Sequence, residues 1–165
     1  MGGFYIFSGD DDFARKQRAR ETAAMLTSSD DPENADCMEV IPGDLPELKV
    51  EELAVRMIDA LRTPPFLSPQ KVVWMRHHPD LDYFNNEKGA APELAALLAA
   101  PLPEETSVIL DGPGLDKRKT VFRSWIKNGA KAEVFTVSRS SDRNFAETRR
   151  GVLAEFSRTS GKRLR

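Results

Sequence analysis

Five short apolar runs alternate along the chain with longer stretches of helical character. The runs cover residues 4–8, 38–41, 72–76, 107–110 and 133–137, and helices are predicted at 12–26, 50–61, 92–99 and 117–127, with a last one over 144–157. Apolar residues stand consecutively in the runs rather than in alternation. Strands of that kind are expected where both faces of a sheet are covered, so the pattern predicts a mostly parallel five-stranded sheet in a three-layer α/β sandwich. Punctuation agrees: Asp116 is placed to cap the helix at 117–127 and Gly129 to end it. Residues 27–36 (TSSDDPENAD) and 79–89 (PDLDYFNNEKG) read as polar loops, and no internal repeat is present.

One stretch breaks the usual rule that connections are polar. In LRTPPFLSPQKVVWMR, residues 61–76, the helix at 50–61 runs into Pro64 and Pro65, which remove backbone donors and stop it. Phe66 and Leu67 follow before the next strand. Two large apolar residues thus occupy a stiff corner, as a local core plug or as a hydrophobic finger aimed at a partner. Pattern alone favours the core, because large apolar residues beside a buried strand usually belong to it.

After Val137 the pattern changes. SRSSDRN reads as a linker into a helix over 145–156, followed by the basic tail RTSGKRLR. A single helix trailing off a complete sheet reads as the start of a second domain that is cut off within it. The expected division is therefore 1–138 for the α/β domain and 139–165 for the linker and that first helix.

Composition narrows the possibilities further. The chain has 165 residues, 40% hydrophobic and 30% charged, as in an ordinary globular domain. No apolar run approaches the roughly 20 residues that a membrane helix needs, and the start MGGFYIFSGDDD is too quickly acidic for a signal peptide. Cys37 is the single cysteine, set beside Met38 and Val40, and reads as a small buried hydrophobe. The expectation is a reduced, cytoplasmic protein without disulfides. The net charge of −2 hides an acidic stretch from Asp10 to Asp59 and a basic end carrying Arg139, Arg143, Arg149 and Arg150. Such an end can contact nucleic acid or an acidic partner, although a solvated helix face is the commoner meaning.

The residues for catalysis are missing where this architecture usually keeps them. Ligands sit at the carboxyl ends of the strands, often a phosphate on the first loop. Here that loop is Ser8-Gly9-Asp10-Asp11-Asp12-Phe13, with one glycine, no lysine and three carboxylates. Carboxylates repel phosphate but suit the positive end of the following helix. VILDGPGLDKRKT mimics a phosphate loop, yet Pro113 and Arg118 stand where glycines are required, leaving Asp111 as a turn former with Gly112. His77 and His78 are adjacent, so on an extended strand they face opposite ways and cannot easily grip one metal ion. No nucleophile motif is present. A nucleotide-binding type of scaffold without that equipment points to binding or assembly.

Taken in order, FYIFSGDDDFARKQ, MEVIPGD, LRTPPFLSPQKVVWMR and SVILDGPGLDKRKTVFRSWIKNGAKAEVFTV resemble the delta subunit of the bacterial DNA polymerase III clamp loader over Phe4 to Val137. The resemblance implies an AAA+-like, P-loop NTPase type of fold without a working ATP site. It implies a non-catalytic part of the DNA polymerase III holoenzyme, needing no cofactor, that binds and opens the sliding clamp (the beta subunit) with a hydrophobic wedge. It also implies assembly with other clamp-loader subunits through further domains, with weak DNA contact in the assembled loader. The family's Leu-Phe wedge pair matches Pro65 and Phe66, so Phe66 keeps the anchor while a proline replaces the leucine. Leu67 is the residue that can restore the lost apolar contact. The competing reading is a nucleic-acid-binding module using the basic segment of Arg139, Arg143, Arg149 and Arg150; only Phe145 and Phe156 are available there for base stacking.

Overall fold

The apolar runs become strands because each finds a parallel neighbour. The computed structural model describes residues 3–66 and 68–137. Its strands are β1 (Phe4–Ser8), β2 (Met38–Pro42), β3 (Lys71–Arg76), β4 (Thr106–Gly112) and β5 (Lys131–Val134). They form one sheet in the order β2-β3-β4-β1-β5, and every neighbouring pair is parallel. Four helices connect them: α1 (Asp12–Thr27), α2 (Val50–Arg62), α3 (Ala91–Ala99) and α4 (Thr120–Lys127). The chain divides after Phe135 into this α/β unit and a second unit, of which only Thr136 and Val137 are described.

The period of two along each strand sorts side chains into two layers. Phe4, Ile6, Val73, Met75, Val108 and Leu110 point into a core shared with α2, α3 and α4. Trp125 of α4 lies in that core, edge-on to Phe4 at 5.2 Å and to Phe84 at 5.4 Å, and its indole N–H donates to the Ala95 carbonyl at 3.1 Å. A buried tryptophan needs such a partner for its single donor. On the opposite face Phe7 lies under the Arg18 guanidinium of α1 at 5.7 Å. With both faces covered, β3 and β4 are buried almost throughout, which accounts for their unbroken apolar sequence.

Four local expectations are corrected. β5 lies two to three residues earlier than the run at 133–137, pairing Tyr5 with Lys131 through Ser8 with Val134. The apolar residues beyond it do not extend the strand: the Phe135 N–H donates to the Ser8 carbonyl at 2.8 Å, and the Phe135 carbonyl accepts from Asp11 N–H at 3.0 Å. α4 begins at Thr120 rather than 117, because Asp116 caps the preceding turn instead, accepting from Arg118 N–H at 2.9 Å. Residues 79–89 are not simply a polar loop. They hold a 3₁₀ turn, Leu81–Asn85, that buries Leu81, Tyr83 and Phe84 beneath α3. Cys37, just before β2, is half-buried rather than buried. Gly129 ends α4 as expected, at φ +101.

Candidate functional site

The tip that connects α2 to β3 stands at the amino end of the sheet. α2 stops at Arg62, and Thr63 caps it in an extended conformation, its N–H and hydroxyl both donating to the Asp59 carbonyl, at 3.1 and 2.7 Å. Pro64 and Pro65 then carry the chain outward, with Pro65 half-buried. Phe66 is 90% exposed, the most exposed large apolar side chain among the described residues. The core-plug reading is therefore overturned for Phe66. Leu67 lies outside the described residues, as do Arg139, Arg143, Arg149 and Arg150. On the return leg Ser68 accepts from Gln70 N–H at 3.3 Å, and β3 begins at Lys71.

Lys71 is a functional candidate that the pattern alone does not reveal. It is 8% exposed, and its ammonium donates to the carbonyls of Ala60 at 2.7 Å and Thr63 at 2.8 Å and pairs with Glu39 at 3.2 Å. The available signal is a lone lysine opening an otherwise apolar run directly after the proline-flanked corner.

The carboxyl end of the sheet holds a separate group of charges. Asp11 caps α1, accepting from Ala14 N–H at 3.2 Å, as the acidic first loop predicts. Arg15 is buried; its guanidinium donates to the Gly9 carbonyl and to Asp12, each at 2.7 Å, and its Nε lies 3.6 Å from Asp111. The positive charge facing the first loop is thus already matched by the protein's own oxygens. Asp111 is no mere turn former. It is fully buried and accepts from the Trp74 indole at 2.9 Å and from His77 N–H at 3.1 Å, with His77 Nδ1 at 2.9 Å. Parallel pairing of β3 with β4 puts these groups side by side, a juxtaposition that spacing along the chain conceals.

The two histidines separate, though not by alternating on a strand. His77 lies past β3 at φ +57 and turns to Asp111, whereas His78 is buried against Phe84 at 5.4 Å. Burial pushes the His78 imidazole down to about 4, against the opposing pull of the Asp80 and Asp111 charges. Among the described residues no group of three or more histidine, cysteine, aspartate or glutamate side chains is placed to hold a metal ion. A cleft of about 470 Å³ opens here, lined by Asp12, Arg15, Lys16, Asp44, His77 and Pro113 among others. Its carboxylates and cations are interleaved, so it presents no uniform charge to a ligand.

No protein-family model matches the chain, and no curated protein matches its sequence. Among solved structures, the Bacillus subtilis DNA clamp loader delta protein is similar with a TM-score of 0.59 at 15% identity, over 99% of this chain and 45% of that one. A DNA polymerase III gamma subunit-related protein from Thermotoga maritima aligns with a TM-score of 0.47 at 18% identity, over 84% of this chain and 42% of that one, too distant to carry weight. The chain therefore spans less than half the length of either. No helix among the described residues is long and apolar enough to cross a membrane. The all-parallel sheet order and the first of these likenesses make this an α/β domain of the clamp-loader, AAA+-like fold.

Proposed function

We propose that this chain is the N-terminal domain of a clamp-loader delta subunit, acting in the bacterial cytoplasm as a non-catalytic part of the DNA polymerase III holoenzyme. Its task is to bind the sliding clamp and open it by inserting Phe66, flanked by Pro65 and Leu67, into an apolar pocket on the ring. The observation that carries this reading is Phe66 itself, 90% exposed on a corner stiffened by two prolines. An aromatic side chain left in water has a hydrophobic free energy to gain only when a partner covers it. An anchor held on a stiff corner loses little further freedom on binding.

ATP chemistry is not part of the proposed role, because Arg15 already engages the Gly9 carbonyl and Asp12 at the first loop. Other clamp-loader subunits would be joined through further domains. Arg139, Arg143, Arg149 and Arg150 would add weak DNA contact in the assembled loader.

The test is binding of this chain to its cognate sliding clamp, wild type beside Phe66→Ala. Truncating a buried aromatic anchor costs about 2 kcal/mol or more, so binding weakens at least about tenfold while the circular dichroism spectrum and thermal midpoint are unchanged. Full-strength binding by a folded Phe66→Ala protein would remove the anchor from the tip.

A further inference from the structure

Helix α2 ends in a problem of unsatisfied acceptors. The carbonyl of residue 60 would ordinarily receive the N–H of residue 64 and that of residue 61 the N–H of residue 65, but Pro64 and Pro65 have none. Buried carbonyls left without donors are costly. For Ala60 the missing donor arrives from the other leg of the corner. The Lys71 ammonium donates to the Ala60 carbonyl at 2.7 Å and to the Thr63 carbonyl at 2.8 Å. Its charge is paired with the Glu39 carboxylate of β2 at 3.2 Å. The Lys71 backbone N–H meanwhile donates to the Glu105 carbonyl at 2.7 Å, fixing the start of β3 beside β4.

Lys71 therefore clamps both legs of the loop that carries Phe66. It is anchored in the sheet through its backbone and holds the end of α2 through its side chain. We propose that Lys71 is a positioning residue for the tip, acting through Phe66 by holding the α2 terminus against β3. This inference rests on the reading of Phe66 as the clamp-contacting anchor. One buried ammonium donates to two carbonyls and pairs with one carboxylate, an arrangement that an apolar side chain of equal length cannot reproduce. Without it the Ala60 and Thr63 carbonyls turn towards water, and the corner must be ordered again on each binding event.

The experiment is a double-mutant cycle on clamp binding with wild type, Lys71→Met, Phe66→Ala and the double variant. Amide hydrogen exchange is followed in the free proteins. Loss of charge-assisted bonds predicts that Lys71→Met weakens clamp binding about tenfold when Phe66 is present. The same substitution is predicted to change binding by less than about twofold in the Phe66→Ala background. Exchange at Thr63, whose N–H donates to the Asp59 carbonyl, accelerates about tenfold or more, while that at Ile109 in β4 keeps its wild-type rate. Equal losses in both backgrounds overturn the proposal, as does faster exchange at Ile109 to the same degree, since either means a general structural role. If Phe66→Ala alone leaves binding intact, the clamp reading falls, and exchange at Thr63 still decides whether Lys71 holds the corner. Should Lys71→Met not fold, Lys71→Gln, which keeps an N–H donor without the charge, is read by the same cycle and must show the same coupling in smaller degree.

Discussion

Single side chains at the carboxyl end set how stability depends on pH. His78 is buried between Tyr83, Phe84 and the β4 terminus, and burial pushes its imidazole down to about 4. In the unfolded chain the ordinary value is about 6.5, so between these limits the unfolded state binds a proton that the folded state refuses. The stability that depends on a neutral His78 is complete above about pH 6.5, is lost as pH falls towards 4, and changes no further below that. The shift corresponds to about 3 kcal/mol. Urea unfolding of wild type and His78→Gln, measured at about pH 7.5 and again at about pH 4.5, is expected to show the wild type losing more stability on acidification. Equal losses in the two proteins would mean that carboxylates alone set the acid limb.

Among the connections between elements, the turn from β1 into α1 is the most constrained. Gly9 adopts φ +111, and a Cβ built there would lie 2.0 Å from the Phe135 carbonyl oxygen and 2.7 Å from the Phe135 N. The same segment closes the sheet, since Phe135 N–H donates to the Ser8 carbonyl and the Phe135 carbonyl accepts from Asp11 N–H. Gly9→Ala must displace backbone on two elements at once and also strain its own conformation. The expected cost is about 2 kcal/mol or more, read as a lower urea midpoint with an unchanged slope. A midpoint within error of wild type would show that β5 can move aside freely. The α2–β3 corner meets a different constraint, in which two prolines remove donors and Lys71 supplies one back.

For the α/β unit as a whole, the parallel sheet separates two kinds of surface. Phe66 lies at the amino ends of the strands, whereas Phe13, 79% exposed on the first turn of α1, lies at the carboxyl ends. A strand of five residues such as β1 spans roughly 17 Å, so the two phenylalanines share no partner. If clamp binding runs through the tip, Phe13→Ala leaves it within about twofold of wild type under conditions where Phe66→Ala abolishes most of it. A loss with Phe13→Ala as large as that with Phe66→Ala would relocate the contact to the carboxyl-end face.

The layered α/β architecture was legible from residue order, because strands covered on both faces must be apolar at consecutive positions and helices must carry one apolar stripe. The stops at Pro64, Pro65 and Gly129 and the capping role of Asp11 were equally plain, being local backbone chemistry. Misplacements fell where local preference met a distant partner. β5 took its register from β1, and the turn at Leu81–Asn85 was made by burial under α3. The exposure of Phe66 could not be read from the chain, since an apolar residue beside a buried strand looks the same whether it turns inward or outward. Asp111 was likewise indistinguishable from an ordinary turn residue, and Lys71 stood out only as a lone lysine opening an apolar run. Asp111 takes its role from parallel pairing, which brings Trp74 and His77 within hydrogen-bond reach of it, and Lys71 takes its role from the fold of the corner, which returns its ammonium to the end of α2: tertiary geometry, and not composition or spacing, determines which polar groups are buried together.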